Sequence, residues 1–184
     1  MKHRPEGTLR IIGGQWRRRI VEFDPRLGIR PTPDRVRETV FNWLAPWIEG
    51  ARVLDLYAGA GALGLEALSR GAADAVFVDR NAAVVKSLKA TLALLGAEAS
   101  VFQRDAESHL QQDAGRYDII FVDPPYASEQ LQQVLPTCVQ HGKSGLRVYL
   151  EWGSREAPEL PDGWDWHRQA RAGQVSYGLI HAQS

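Results

Sequence analysis

Val53-Leu54-Asp55-Leu56-Tyr57-Ala58-Gly59-Ala60-Gly61-Ala62-Leu63-Gly64 combines an aliphatic run, an acid and three closely spaced glycines. It opens as a β-type apolar run, turns through glycines and enters a helix-length segment at Leu63. A buried strand that turns through glycines into a helix is a nucleotide-binding layout. Glycine lets backbone come close to a ligand, and in open α/β sheets ligands sit beyond the carboxyl ends of the strands. Gly59, Gly61 and Gly64 satisfy G-x-G-x-x-G, and Asp79 follows Gly59 by 20 residues. At the end of the second strand-like run, the Asp79 carboxylate is placed to accept both ribose hydroxyls, as in a nicotinamide-dependent oxidoreductase.

Two details favour a different ligand. In the dinucleotide fingerprint the first glycine closely follows the strand, whereas here Asp55 stands near the strand end and Tyr57-Ala58 intervene. Asp-x-x-x-Gly-x-Gly resembles the first motif of class I methyltransferases. Their cofactor has no pyrophosphate and carries an ammonium, a sulfonium and a carboxylate, so an acid near the loop makes electrostatic sense. The plainer alternative is a glycine turn that serves only helix packing, and the placing of Asp79 argues against it. Asp105, at the end of the third run, is expected either to reach an adenine amino group or to cap the helix that follows, and the two roles can coexist.

Outward from this loop the chain is rhythmic. β-type runs at Val53 to Tyr57, Ala75 to Val78, Ala99 to Phe102, Tyr117 to Val122 and Arg147 to Leu150 alternate with helix-length segments at Leu63 to Ser69, Ala82 to Leu95, Ala106 to Gln112 and Glu129 to Val139. Such alternation predicts an α/β fold, a doubly wound, mostly parallel sheet with helices on both faces. Trp164 to Ala170 and Val175 to His181, joined around Ala172-Gly173, read as an antiparallel hairpin added at the sheet edge.

The fourth run enters Asp123-Pro124-Pro125-Tyr126 directly. Each proline fixes its own φ, and Pro125 bars helical geometry at Pro124, so the Pro124 carbonyl is a rigid acceptor. Together with the Asp123 carboxylate it can accept both hydrogens of an exocyclic amine, while Tyr126 offers a ring on which a base can stack. Such an amine is a poor nucleophile because its lone pair is delocalised. Two fixed acceptors favour the pyramidal nitrogen and aim its lone pair, and no strong base is needed afterwards. The competing reading is that Pro-Pro merely ends a strand and Tyr126 packs inward.

Upstream, Leu9 to Ile12 and Ile20 to Phe23 flank Gly13-Gly14 as a hairpin carrying Trp16 and Arg17-Arg18-Arg19. Thr32 can cap a helix whose first position suits Pro33, with Val36, Val40, Phe41, Leu44 and Trp47 at helical spacing and Gly50 as its end. Net charge is zero overall, yet Met1 to Arg37 holds ten Lys or Arg against four Asp or Glu. A basic arm is therefore joined to an acidic body. Lys2, Arg4, Arg10, Arg17, Arg18, Arg19, Arg26 and Arg30, with Trp16 and Phe23, combine phosphate-binding charge with stacking surface, and RNA is the natural partner. A solvated charged face is the bland alternative. Cys138 is the single cysteine, so no intramolecular disulfide forms, which suits a cytoplasmic protein. No metal-ligand spacing and no membrane-length apolar run occur, so neither a metal nor a membrane partner is expected.

Four stretches together resemble the RsmD-type methyltransferases, which modify the guanine N2 amine of 16S ribosomal RNA. They are Leu9 to Gly14, Arg30-Pro31-Thr32-Pro33-Asp34-Arg35-Val36-Arg37-Glu38-Thr39-Val40-Phe41-Asn42-Trp43-Leu44, Leu54 to Gly71, and Asp123 to Tyr126. The second is the most family-specific. Pro33 stands where a threonine is usual, and Tyr57 and Ala60 replace a commoner Phe and Ser. The resemblance implies S-adenosylmethionine as cofactor, held by Asp55, Tyr57, Gly59, Gly61, Asp79, Arg80, Asp105 and Ala106. It implies Asp123, Pro124, Pro125 and Tyr126 as the guanine site, and Arg10, Arg17, Arg18, Arg19, Arg30, Thr32, Arg35 and Arg37 as RNA contacts. A partly assembled small ribosomal subunit is the expected substrate of a monomeric enzyme. Residues 1–31 would form an RNA-binding extension and residues 32–184 the methyltransferase domain. The rival readings are an adenine-N6 methyltransferase on DNA or RNA, the oxidoreductase, and a non-catalytic RNA-binding module.

Overall fold

The computed structural model describes residues 7–125, 127–153 and 156–184. The founding strand, β3 (Arg52–Asp55), lies parallel between β4 (Asp74–Asp79) and β6 (Tyr117–Val122). β5 (Ser100–Gln103) extends the sheet on one side. On the other, β7 (Gly142–Trp152) pairs parallel to β6 and antiparallel to β9 (Val175–Ala182), with β8 (Trp164–Ala172) at the edge. The order is β5-β4-β3-β6-β7-β9-β8, so the anticipated terminal hairpin is present, with its second strand inserted next to β7.

Both faces of the sheet are covered, which is why its strands read as nearly unbroken apolar runs. Side chains alternate along each strand. Val53, Ala75, Phe77, Ile119, Phe121 and Tyr149 join one core with α1 (Asp34–Ile48), α2 (Ala62–Ser69) and α3 (Ala82–Leu95). Leu54, Val76, Ile120, Val122, Val148 and Leu150 face a second core with α4 (Ala106–Gln112) and α5 (Ala127–Cys138). Each fully buried Phe of the first core is worth roughly 3–5 kcal/mol against truncation to Ala. No helix among the described residues is long and apolar enough to cross a membrane.

The amino-terminal hairpin, β1 (Thr8–Arg10) with β2 (Ile20–Glu22), is fastened to α1 and α2. Leu9 and Ile11 enter the first core, and the backbone N–H groups of Ile12 and Gly13 donate to the Glu66 carboxylate at 3.0 and 2.8 Å. Gly14 passes so close to the Ser69 carbonyl that no side chain fits there, and its φ of +78° also suits glycine. Glu66, completely buried on α2, further accepts from Arg37 and Arg70. A buried carboxylate is tolerable only when so fully partnered.

One local expectation is corrected. Thr32 does not cap α1, because Pro33 occupies the N-cap position with no side-chain cap bond and the Thr32 hydroxyl is turned elsewhere.

Candidate active site

At the carboxyl ends of β3, β4 and β6 the structure opens into a cleft of about 910 Å³. Its floor begins at Asp55. This side chain is 2 % exposed, and its Oδ2 accepts the Gly64 N–H at 3.0 Å, which ties the start of α2 to β3. Burial pushes the Asp55 carboxyl up to about 7, the Gly64 N–H opposes that, and nearby Asp79 adds to it. The turn between them closes on Gly61 at φ +81°, where a Cβ would sit 2.7 Å from Leu88.

Asp79 clamps the loop from the next strand. Its Oδ2 accepts the Gly59 N–H at 3.1 Å and its Oδ1 the Asn81 N–H at 2.9 Å, while Asn81 caps α3. Asp105 caps α4 through Ser108, whose N–H and hydroxyl both donate to it at 2.8 Å and hold its carboxyl below the usual range. Of the two roles expected of Asp105, the cap is the one visible, and the residue still borders the cleft.

The fourth wall is chemically distinct. Thr32 Oγ1 lies 3.1 Å from Glu151 Oε2 and 3.4 Å from Asp123 Oδ2, and the Tyr149 hydroxyl donates to the same Glu151 oxygen at 2.8 Å. Burial, the facing Glu151 and then Asp55 hold the Asp123 carboxyl well above the ordinary range. Glu151 is raised too, chiefly by burial, but the Tyr149 and Thr32 hydroxyls and Asp123 restrain the rise.

The structure thus brings Asp55, Tyr57, Gly59, Asp79, Arg80, Asp105 and Ala106 to one cleft with Asp123, Pro124, Pro125, Arg30 and Thr32. Tyr126 lies outside the described residues, as do Lys2 and Arg4. Gly61 shapes the turn and does not border the cleft.

The basic residues divide. Arg35 is exposed on the first turn of α1, and Arg10 is exposed beside it with a 3.2 Å ion pair to Asp34. Arg37 is a correction: it is 1 % exposed and bonds Glu66, Asp34 and the carbonyls of Thr32 and Arg10, so its guanidinium serves the interior and is shut off from any RNA. Arg17, Arg18 and Arg19 are exposed but remote. Their loop is bonded to Ser69 and Leu94 at the far ends of α2 and α3, roughly 20 Å from the cleft by the length of α3.

Sequence reasoning missed Glu151 and the segment Leu27 to Ile29, which also borders the cleft. Glu151 had a usable signal: it immediately follows the run Arg147 to Leu150 and so stands at the carboxyl end of a strand, where ligands bind. Leu27 to Ile29 had none beyond Gly28.

A parallel core extended by an inserted antiparallel strand, with a glycine loop and an acid-lined cleft at its carboxyl edge, defines a class I methyltransferase. Residues 9–181 match the family described as conserved hypothetical protein 95. Ribosomal RNA small subunit methyltransferase D of Escherichia coli K12 is 43 % identical over 99 % of this chain and 94 % of its own. The Haemophilus influenzae protein of the same name is 34 % identical over 95 % and 94 %. The solved Escherichia coli structure of yhhF superposes with a TM-score of 0.88 at 43 % identity, covering 96 % of this chain and 99 % of that one. The chain belongs to this family of ribosomal RNA small subunit methyltransferases.

Proposed function

We propose that this enzyme uses S-adenosylmethionine to methylate the exocyclic N2 amine of a guanine in 16S ribosomal RNA. The observation that carries the reading is that Asp123 and Pro124, the rigid acceptor pair at the end of β6, border the same cleft as the glycine loop and Asp79. The lining suits the cofactor chemically. Asp79, Asp105, Glu107 and the single charge shared by Asp123 and Glu151 outnumber Arg30, Arg80 and Arg104, an excess that favours a sulfonium and an ammonium and disfavours the pyrophosphate of a nicotinamide dinucleotide.

Asp55, Gly59, Asp79, Arg80, Asp105 and Ala106 would hold S-adenosylmethionine, which supplies a methyl group already bonded to a cationic sulfur. Asp123 and the Pro124 carbonyl orient the amine by accepting its two hydrogens, a preorganisation of the kind that typically contributes a few kcal/mol in the transition state. A concave site of this kind would take a base extruded from its stack, as recognition of an unpaired nucleotide requires. Arg30 at the cleft, Arg35 exposed at the start of α1 and the distant Arg17 to Arg19 suit an RNA much larger than one nucleotide, such as a small subunit in assembly. Residues 1–31 then act as an extension that adds RNA-contact surface to the methyltransferase domain of residues 32–184, in a monomer working in the cytoplasm.

The test is nucleoside analysis of small-subunit RNA after reaction with the protein and labelled S-adenosylmethionine. The proposal expects the label in N2-methylguanosine. Label in N6-methyladenosine would refute the guanine assignment, and tight NAD binding without S-adenosylmethionine binding would refute the class of cofactor.

A further inference from the structure

We propose that Glu151 and Asp123 form a proton-sharing pair, held by Thr32 and Tyr149, in which Glu151 is the final protein acceptor of the proton that the methylated amine must shed. The inference rests on the amine-methylation reading above and extends it to a residue outside the Asp-Pro-Pro segment.

Geometry supports it first. Glu151 ends β7, the strand beside β6, and the two carboxyl groups face one another across the Thr32 hydroxyl. Two hydroxyl donors, Tyr149 and Thr32, converge on Glu151 Oε2, whereas among the described residues the one hydroxyl donor near Asp123 is Thr32, at the longer distance of 3.4 Å. Donors stabilise a carboxylate. The negative charge of a singly protonated pair therefore resides on Glu151 and the proton on Asp123. The other titratable groups facing the pair agree. Asp55 on β3 opposes ionisation of Asp123, and Tyr149 on β7, with Tyr177 of β9 behind it, stays a neutral phenol whose acidity burial suppresses. Asp79 on β4 in turn raises Asp55.

The proton balance follows. A nitrogen that has gained a methyl group carries one positive charge and one proton too many. Its N–H bond breaks as that proton joins the unprotonated oxygen of Asp123. The proton already on Asp123 passes to Glu151, and Glu151 later releases it to water at the cleft. Asp123 is neutral before and after, so it keeps one carbonyl-type acceptor for the amine throughout. Glu151 acts through Asp123 and is a positioning residue in this sense.

Two carboxyls that share a proton ionise at two macroscopic pKa values that bracket the value of either alone. Glu151→Gln therefore has two opposite consequences. In ligand-free protein, the infrared band of the protonated Asp123 carboxyl, isolated by subtracting the Asp123→Asn spectrum, disappears at lower pH in E151Q than in the wild type, by about one unit or more. In turnover, the acid limb of kcat moves to higher pH, because Asp123 itself must now ionise, so E151Q is slow at acid pH and recovers toward the wild-type rate as pH rises.

A deficit in E151Q that is the same at every pH, or a band that vanishes at the wild-type pH, overturns the pair. Failure of the underlying reading shows differently, as full methyl transfer by Asp123→Asn. Tyr149→Phe covers the case in which E151Q does not fold. It removes one donor from Glu151 and shifts the acid limb upward, and an unshifted limb in that variant would count against the pair equally.

Discussion

Arg37 Nη1 donates to Glu66 Oε2 at 3.2 Å in a space closed to solvent, with Arg37 1 % exposed and Glu66 not exposed at all. The same carboxylate holds Ile12, Gly13 and Arg70. Glu66→Ala leaves the Ile12 and Gly13 N–H groups unpaired and takes one carboxylate from Arg37, which keeps Asp34 and the Thr32 and Arg10 carbonyls; removing one partner of a buried pair typically costs about 3–5 kcal/mol. Urea unfolding should show a loss of about that size, whereas a loss under about 1 kcal/mol would mean that the hairpin and body are held otherwise.

Asp79 bonds the Gly59 N–H and the Asn81 N–H, so it fixes the glycine loop and the start of α3 together. Asp79→Ala should weaken binding of S-adenosylhomocysteine by about 10–100-fold in calorimetric titration, the equivalent of one lost charged hydrogen bond. Unchanged affinity would remove Asp79 from the cofactor site.

The buried Asp55 carboxyl, raised to about 7 from 3.8, gives stability a definite pH slope. The folded state binds the proton more tightly than the unfolded state between these values. The contribution of Asp55 is therefore fully present at low pH and is lost as pH rises through about 4 to 7. Asp55→Asn keeps an acceptor for Gly64 and removes the titration, so its unfolding free energy should fall less over that range than the wild type's. Parallel wild-type and variant curves would contradict the assignment.

Arg17, Arg18 and Arg19 lie at the end of the sheet opposite the cleft, so their effect must depend on RNA length. About five phosphate contacts give a slope of roughly −3.5 for log affinity against log salt, at about −0.7 per single-strand contact. Replacing all three by Ala should bring that slope closer to zero by about two for a long small-subunit RNA fragment and leave a short oligonucleotide unaffected. Equal losses for both lengths would place the triplet at the cleft after all.

The parts of this molecule that sequence reveals are those governed by local or periodic chemistry. Val53 to Gly64 announced the strand, turn and helix, and the alternating burial of Ile119 through Val122 on two cores explains why that run looked uniformly apolar. What stayed hidden depends on partners distant in the chain. Thr32 has the side chain of a helix cap, yet its hydroxyl meets Glu151, 119 residues away. Arg37 looks like surface charge until Glu66, 29 residues on, is seen beneath it. β7 is longer than the run Arg147 to Leu150 suggested, because pairing with β9 carries polar Glu151 and then Trp152 into the ladder. That extension put an acid at the cleft which the apolar pattern alone had ended one residue too early.

Methyl transfer by this enzyme, as proposed, requires Asp123 to grip the reacting amine. Asp123→Asn should be compared with the wild type in two measurements on the same samples, methyl transfer to small-subunit RNA and binding of S-adenosylhomocysteine. Turnover in Asp123→Asn should fall by roughly 100-fold or more, the size seen when one preorganised group is lost, with cofactor-analogue affinity nearly unchanged. Turnover within a few-fold of wild type would contradict that requirement.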